Sequence, residues 1–222
     1  MIIAQIAQIA SIPERAQMLK KTVESLYPQV DELNVMLNNY SYIPPWLEKE
    51  NINVVELDNS KGDGAKFYGL ENKEGFIFTC DDDLIYPTDY VHEMTMKLYD
   101  YKISAILTNH GRVMNDKPVT SIYMDRKATY HCLETVTDEV HLDIGGTGVM
   151  AFHTRYFRPD YNKILIKNMA DVWIAKFAHE QGCKIVMNPH HKDWLTYQHP
   201  DWTIWDEEIR EHSFQTEIYN SF

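Results

Sequence analysis

The run Phe76-Ile77-Phe78-Thr79-Cys80-Asp81-Asp82-Asp83-Leu84-Ile85-Tyr86-Pro87 constrains the fold more than any other stretch, because it joins an apolar, β-prone segment to three consecutive acids. Aromatic and β-branched residues without polar interruption suit a strand covered on both faces. Pro87, Thr88 and Asp89 then open a helix expected to run to about Asp100. The acids therefore stand at the carboxyl end of a buried strand, where open α/β sheets bind ligands. Three adjacent carboxylates repel one another, and a divalent cation with phosphate oxygens would neutralise them. In extended backbone Asp81 and Asp83 point to one side and Asp82 to the other. A bare acidic triplet more commonly caps the next helix; here the strand before it and the helix after it favour a metal.

Strand-like segments near residues 2–10, 32–38, 52–57, 75–80 and 103–108 alternate with helical ones. The clearest helix is Glu14 to Leu26, with Leu19, Val23 and Leu26 on one side and Pro13 just ahead. This alternation predicts the α/β class, a Rossmann-like, mainly parallel sheet flanked by helices. From about Gly111 to Phe152, short runs rich in Tyr, Thr, His and Val predict a small antiparallel extension. A helix is expected at Ala170 to Gln181, a strand at Lys184 to Met187, and a last helix at about Trp205 to Tyr219, anchored by Trp202 and Trp205. With no repeat, low-complexity tract or long linker, the 222 residues read as one domain, 1–222.

The formal charge of −12, from 21 basic against 33 acidic residues, disfavours nucleic acid and anionic membrane surfaces as nonspecific partners. An anionic ligand would need a cation or placed Arg and Lys. Cys80, Cys132 and Cys183 are odd in number and show no metal-type spacing, so they read as free thiols, mainly for packing, in a reducing compartment. Met1 to Ala10 is short, lacks a basic leader and reads as a first core strand rather than a signal peptide. No stretch is long enough to span a bilayer, and a soluble cytoplasmic protein is expected.

Other motifs fall between these elements. Ser11-Ile12-Pro13-Glu14-Arg15 closes the first strand and offers backbone N–H groups, a hydroxyl and a guanidinium to a phosphate, or simply starts a helix. It lacks the glycines of a dinucleotide turn, and no P-loop occurs anywhere. Lys61 to Phe67 reads as a solvated turn or as a loop bringing Lys66 to a base or phosphate. Gly145, Gly146 and Gly148 permit close backbone approach to a ligand, or form a bulge between strands. Asp171, early in its helix, either caps it or orients an acceptor hydroxyl. Pro189-His190-His191-Lys192-Asp193-Trp194 combines imidazole, a phosphate-binding cation and an aromatic wall, and adjacent histidines allow at most one as a metal ligand.

Taken in order, Ser11-x-Pro13-x-Arg15, Gly62-Asp63-Gly64-Ala65-Lys66, the strand ending in Asp81-Asp82-Asp83, Gly146-Thr147-Gly148, Asp171-Val172 and Lys192-Asp193-Trp194-Leu195 resemble the nucleotide-sugar glycosyltransferases of the GT-A fold. Within them the chain is similar to the bacterial α-N-acetylglucosaminyltransferases of heparosan-type capsules, over most of its length. That resemblance implies a UDP-sugar donor, a glycan acceptor, Mn²⁺ or Mg²⁺ as cofactor, a partner glycosyltransferase, and a cytoplasmic place for this chain at the periphery of a membrane assembly. Residues to about 110 would form the nucleotide-binding half and 111–222 the acceptor side. Ser11, Pro13, Arg15, Lys66, Asp81 and Asp82 would bind the nucleotide, with Gly146, Thr147, Gly148 and Trp194 around the sugar. Asp83, with Asp81, would hold the metal; His190 and His191 depart from the capsule enzymes' pattern, and His191 is a candidate ligand on its imidazole chemistry alone. Asp171 would position or deprotonate the acceptor, and Lys192 would stabilise the leaving diphosphate. A sugar nucleotidyltransferase, or a carbohydrate-binding protein reusing the fold, is the alternative.

Overall fold

The computed structural model describes residues 3–199 and 213–222. In chain order the strands are β1 (Gln5–Ser11), β2 (Glu32–Asn38), β3 (Ile52–Leu57), β4 (Phe76–Cys80), β5 (Leu84–Ile85), β6 (Ile106–Thr108) and β7 (Gly111–Met114). They continue with β8 (Arg126–Tyr130), β9 (Val140–Leu142), β10 (Ile144–Gly145), β11 (Val149–His153), β12 (Ile185–Met187) and β13 (Thr196–Tyr197). The described α-helices are α1 (Ala16–Leu26), α2 (Tyr90–Asp100), α3 (Ala170–Glu180) and α4 (Ser213–Asn220).

The main sheet runs β3-β2-β1-β4-β11-β6-β12-β9. Its first four strands pair in parallel, as do β6 and β12. β11 is antiparallel to both its neighbours, and β9 closes the edge antiparallel to β12. The chain is thus mixed α/β, a large and mainly parallel sheet flanked by helices, with two small antiparallel sheets, β10-β7-β8 and β13-β5.

Alternation along the strands divides the core between the two faces. Ala7, Ile9, Phe76, Phe78 and Cys80 join Leu19, Val23 and Leu26 of α1 and Tyr90, Met94 and Leu98 of α2. Ile6, Ile77, Met150 and Phe152 face the other way, toward Trp173, Ile174 and Phe177 of α3 and Tyr219 of α4. Each large side chain so buried contributes about 1.5–3 kcal/mol relative to exposure, which is why the apolar stripe of α1 fixes that helix on the sheet.

Two elements differ from their sequence reading. The segment up to Phe152 was expected in the antiparallel extension, yet β11 enters the main sheet between β4 and β6. All five of its residues are buried, and a run apolar on both faces needs cover on both. Lys61 to Phe67 is not a solvated turn: Gly62–Phe67 forms a 3₁₀ helix in which Gly62, Gly64, Ala65, Lys66 and Phe67 are buried. The expected terminal helix coincides with α4 from Ser213 onward, while its earlier part, with Trp202 and Trp205, lies outside the described residues.

Candidate active site

The carboxyl ends of β1, β2 and β4 open into a cleft of ≈ 290 Å³. Ser11 closes β1, Asn38 closes β2, and Asp81 to Asp83 follow β4. Because β11 runs antiparallel to β4, with Val149 opposite Cys80, the residues just before it arrive at the same edge. Thr147 therefore lines the cleft with Asp171 from the first turn of α3.

The three acids have different surroundings. Asp82 is buried, and its Oδ2 accepts a 2.6 Å hydrogen bond from the Ser11 hydroxyl. Arg15 donates from one Nη1 to Asp82 at 2.9 Å and to Asp83 at 3.1 Å. Asp81 pairs with the ammonium of Lys66, which is only 2% exposed, while 43% of the Asp81 side chain remains accessible. Asp82 thus ties the end of β1 to the turn, and Asp81 and Asp83 keep carboxylate oxygens facing the cleft.

Electrostatics single out two carboxyls. Burial, reinforced by the charges of Asp81 and Asp82 and opposed by Arg15, pushes Asp83 up to about 7. Asp63 is also pushed up to about 7, by burial first, with Lys66 pulling it down and Asp171 and Asp81 adding to the rise. Burial works against the Lys66 charge, but Asp81 and Asp63 outweigh it and raise its pKa. Arg15 and Lys66 consequently leave negative charge in excess, and an all-oxygen cluster of that kind suits a hard divalent cation.

The raised Asp63 gives a prediction. Its folded pKa lies above its unfolded value, so the stability it contributes is complete below about pH 4 and is lost as pH rises through about 7. Asp63→Asn is therefore expected to stabilise the ligand-free protein by about 2 kcal/mol at pH 8 and hardly at all at pH 4. Urea unfolding at the two pH values measures this; a gain independent of pH would contradict the assignment.

Ser11, Arg15, Lys66, Asp81, Asp82, Asp83, Thr147 and Asp171 come together in this one cleft. Gly148 backs it: a Cβ there would sit 1.8 Å from Asp81 Oδ2, and its carbonyl accepts from the Asp81 amide at 3.2 Å. Gly146 instead faces His110. Pro13 is exposed and starts the 3₁₀ turn Pro13–Arg15 that delivers Arg15. Asp171 does not cap α3, for its Oδ1 accepts 2.8 Å bonds from both the amide and the hydroxyl of Thr147.

Lys192, His191 and Trp194 are not brought to the cleft. Lys192 and His191 are exposed. Trp194 lies against Tyr90 with ring centroids 5.4 Å apart and donates its indole N–H to Asp89 at 3.1 Å, which also explains why Asp89 makes no cap bond to α2. The nearby residue that does reach the cleft is Tyr197 of β13, next to Gln198, whose amide donates to the Asp83 carbonyl at 2.9 Å. The sequence reading also missed Asn38, Arg112, Tyr123 and Lys167 in the cleft wall. Only Asn38 had a signal, as an amide ending an apolar strand; its Nδ2 donates to the Gly62 carbonyl at 3.0 Å and its buried Oδ1 has no hydrogen-bond partner among the described residues.

No protein-family model matches the chain, and no curated protein does. Among solved structures it is similar to glucosyl-3-phosphoglycerate synthase from Mycobacterium tuberculosis, a structure in complex with Mn²⁺, uridine diphosphate and phosphoglyceric acid. The likeness has 17% identity and a TM-score of 0.39 and covers 48% of this chain. It spans 42% of that protein's chain, less than half of its length. Among the described residues no helix is long and apolar enough to cross a membrane.

Proposed function

We propose that this chain is a GT-A-type glycosyltransferase that moves a sugar, GlcNAc or another hexose, from a UDP-sugar to a hydroxyl of a glycan acceptor, with retention of configuration, in capsule or surface-glycan synthesis. The observation that carries the reading is the single cleft in which Ser11, Arg15, Lys66, Asp81 to Asp83, Thr147 and Asp171 converge at the carboxyl ends of β1, β2 and β4. The motif order in the sequence supports the family, and the chemistry of the donor set supports the cofactor.

Asp81 and Asp83 would hold Mn²⁺ or Mg²⁺, since Asp82 is taken up by Ser11 and Arg15. When bound, that ion supplies positive charge for the donor diphosphate and for the UDP that leaves. Lys66 and Arg15 are fixed cations beside the same position, and preorganised charge of this kind is where catalysis by leaving-group stabilisation is strongest. Asn38 lines the same cleft, with a buried amide oxygen that has no hydrogen-bond partner among the described residues. Asp171 holds Thr147 and positions the acceptor hydroxyl, a task that a retaining reaction needs in place of a dedicated base.

Incubation with a UDP-sugar, Mn²⁺ and an oligosaccharide is expected to release UDP and extend the oligosaccharide. Pyrophosphate release from UTP and a sugar phosphate would instead identify a sugar nucleotidyltransferase. Asp171→Asn should lower turnover by about 100-fold while leaving UDP affinity nearly unchanged. Loss of UDP affinity at normal turnover would move Asp171 away from the acceptor.

A further inference from the structure

Beside the cleft, on the other side of the Gly146–Gly148 loop from Asp81, two imidazoles and a thiol meet. His110 lies just beyond β6, and His131 and Cys132 just beyond β8. One ligand atom from each of the three falls within 4.8 Å of the others, and the His110 and His131 rings stand edge to face with centroids 4.8 Å apart. Among the described residues this is the one group of three or more His, Cys, Asp or Glu side chains drawn so close.

We propose that His110, His131 and Cys132 bind a divalent ion of the zinc class, with a fourth coordination position left open to solvent. The donors decide the metal: two nitrogens and a sulfur favour a borderline-soft ion, whereas the oxygens of the Asp81 to Asp83 cluster favour a hard one. The inference stands apart from the transferase reading and does not depend on it.

The surroundings are those of an assembled site. The amide of Gly146 donates to the His110 carbonyl at 2.7 Å, and a Cβ on Gly146 would come within 2.8 Å of the His110 Cβ, so the missing side chain makes room for that imidazole. The ring nitrogens of His110 make no hydrogen bond to any described residue, the Cys132 sulfur is reached by its own backbone amide, and His131 Nδ1 takes a 3.3 Å bond from the Leu133 amide. Cys132 is buried at 8% exposure and His131 is exposed, which leaves one side of the triad open to water.

His190 supports the triad from behind. Its Nδ1 lies 2.8 Å from the Asn188 carbonyl and 3.3 Å from the Asn109 amide nitrogen, and its Nε2 lies 3.3 Å from the His131 carbonyl; a neutral ring donates to only one of the two carbonyls, and with the proton on Nε2 it ties down the backbone of the His131–Cys132 turn. Burial favours the neutral His110 ring, the ligand form, but also the neutral Cys132 thiol, which it pushes up to about 12, so a bound ion must itself draw the proton off the sulfur. On binding, the Cys132 S–H bond breaks, its electron pair goes to the metal and the proton to solvent. Such a bond would clamp the turn after β8 onto the end of β6.

The test uses the full-length protein, reduced and stripped of metal, with Co²⁺ as the probe. One equivalent should give a thiolate-to-cobalt charge-transfer band and the intense visible absorption of a four-coordinate ion, both displaced by Zn²⁺, with one proton released. Cys132→Ser should abolish the charge-transfer band, and His131→Ala, at an exposed position, should weaken Co²⁺ binding by at least about tenfold. Asp83→Ala should leave the band intact. The proposal is overturned by absence of a thiolate band at saturating Co²⁺, by a band that survives Cys132→Ser, or by cobalt binding that vanishes only in Asp83→Ala.

Discussion

Asp83→Ala is expected to weaken Mn²⁺-dependent UDP binding by about 100-fold or more while the domain stays folded. The carboxylate being removed is one that the structure does not need for its own stability. Arg15 keeps its 2.9 Å bond to Asp82 when Asp83 is truncated, and the backbone bond from Gln198 to the Asp83 carbonyl at 2.9 Å does not involve the side chain. Truncation also relieves the repulsion from Asp81 and Asp82 that, with burial, pushes Asp83 up to about 7. The ligand-free variant should therefore melt at or slightly above the wild-type temperature. Calorimetric titration of UDP with Mn²⁺ checks the binding, and unchanged metal-dependent affinity in a folded variant would remove Asp83 from the cation site.

Lys66→Met should have the largest effect on stability. Lys66 is 2% exposed, it pairs with Asp81, and the charges of Asp63 and Asp171 also act on it. A methionine of similar length leaves those carboxylates without their cation; because 43% of the Asp81 side chain stays open to water, the loss is about 2 kcal/mol, below that of a pair buried on both sides. The Lys66 charge does not change between pH 5 and 8, because its folded pKa is raised above an already alkaline value. The pH dependence of the loss comes from Asp63, whose carboxylate Lys66 favours in the wild type; without that cation its pKa rises further, so the loss is larger at pH 8 than at pH 5. Adding Asp63→Asn should recover part of the loss. Urea unfolding of the single and double variants reads both effects, and a Lys66→Met protein as stable as wild type at pH 8 would show that the ion pair carries nothing.

Much of the frame could be read from the chain because its signals are local. The apolar runs of β1 to β4 and the Leu19, Val23, Leu26 stripe of α1 state their own period and burial. Asp81 to Asp83 could be placed at a strand end for the same reason. What could not be read depends on partners distant in sequence. Val149 to His153 announces a buried strand but not that it will slot between β4 and β6. Lys66 sits in a Gly-Asp-Gly context that looks solvated, and only Asp81 and Asp63 make its burial tolerable. Lys192 and Trp194 carried residue types suited to a sugar site, yet the indole finds Tyr90 and Asp89 and keeps that segment on α2. His110 and the His131–Cys132 pair have no metal-type spacing and meet because the start of β7 pairs with the end of β8, Gly111 opposite Tyr130.

The most direct test of the central claim is a thermal-shift titration of the wild-type protein with UDP-, GDP-, CMP- and TDP-sugars, each with Mn²⁺ and with a chelator. Stabilisation by UDP-sugars in Mn²⁺, abolished by the chelator and absent with the other nucleotides, is the expected result. No shift with any of them in a demonstrably folded sample, or a shift that survives the chelator undiminished, would contradict the account and reduce Asp81 to Asp83 to an acidic turn.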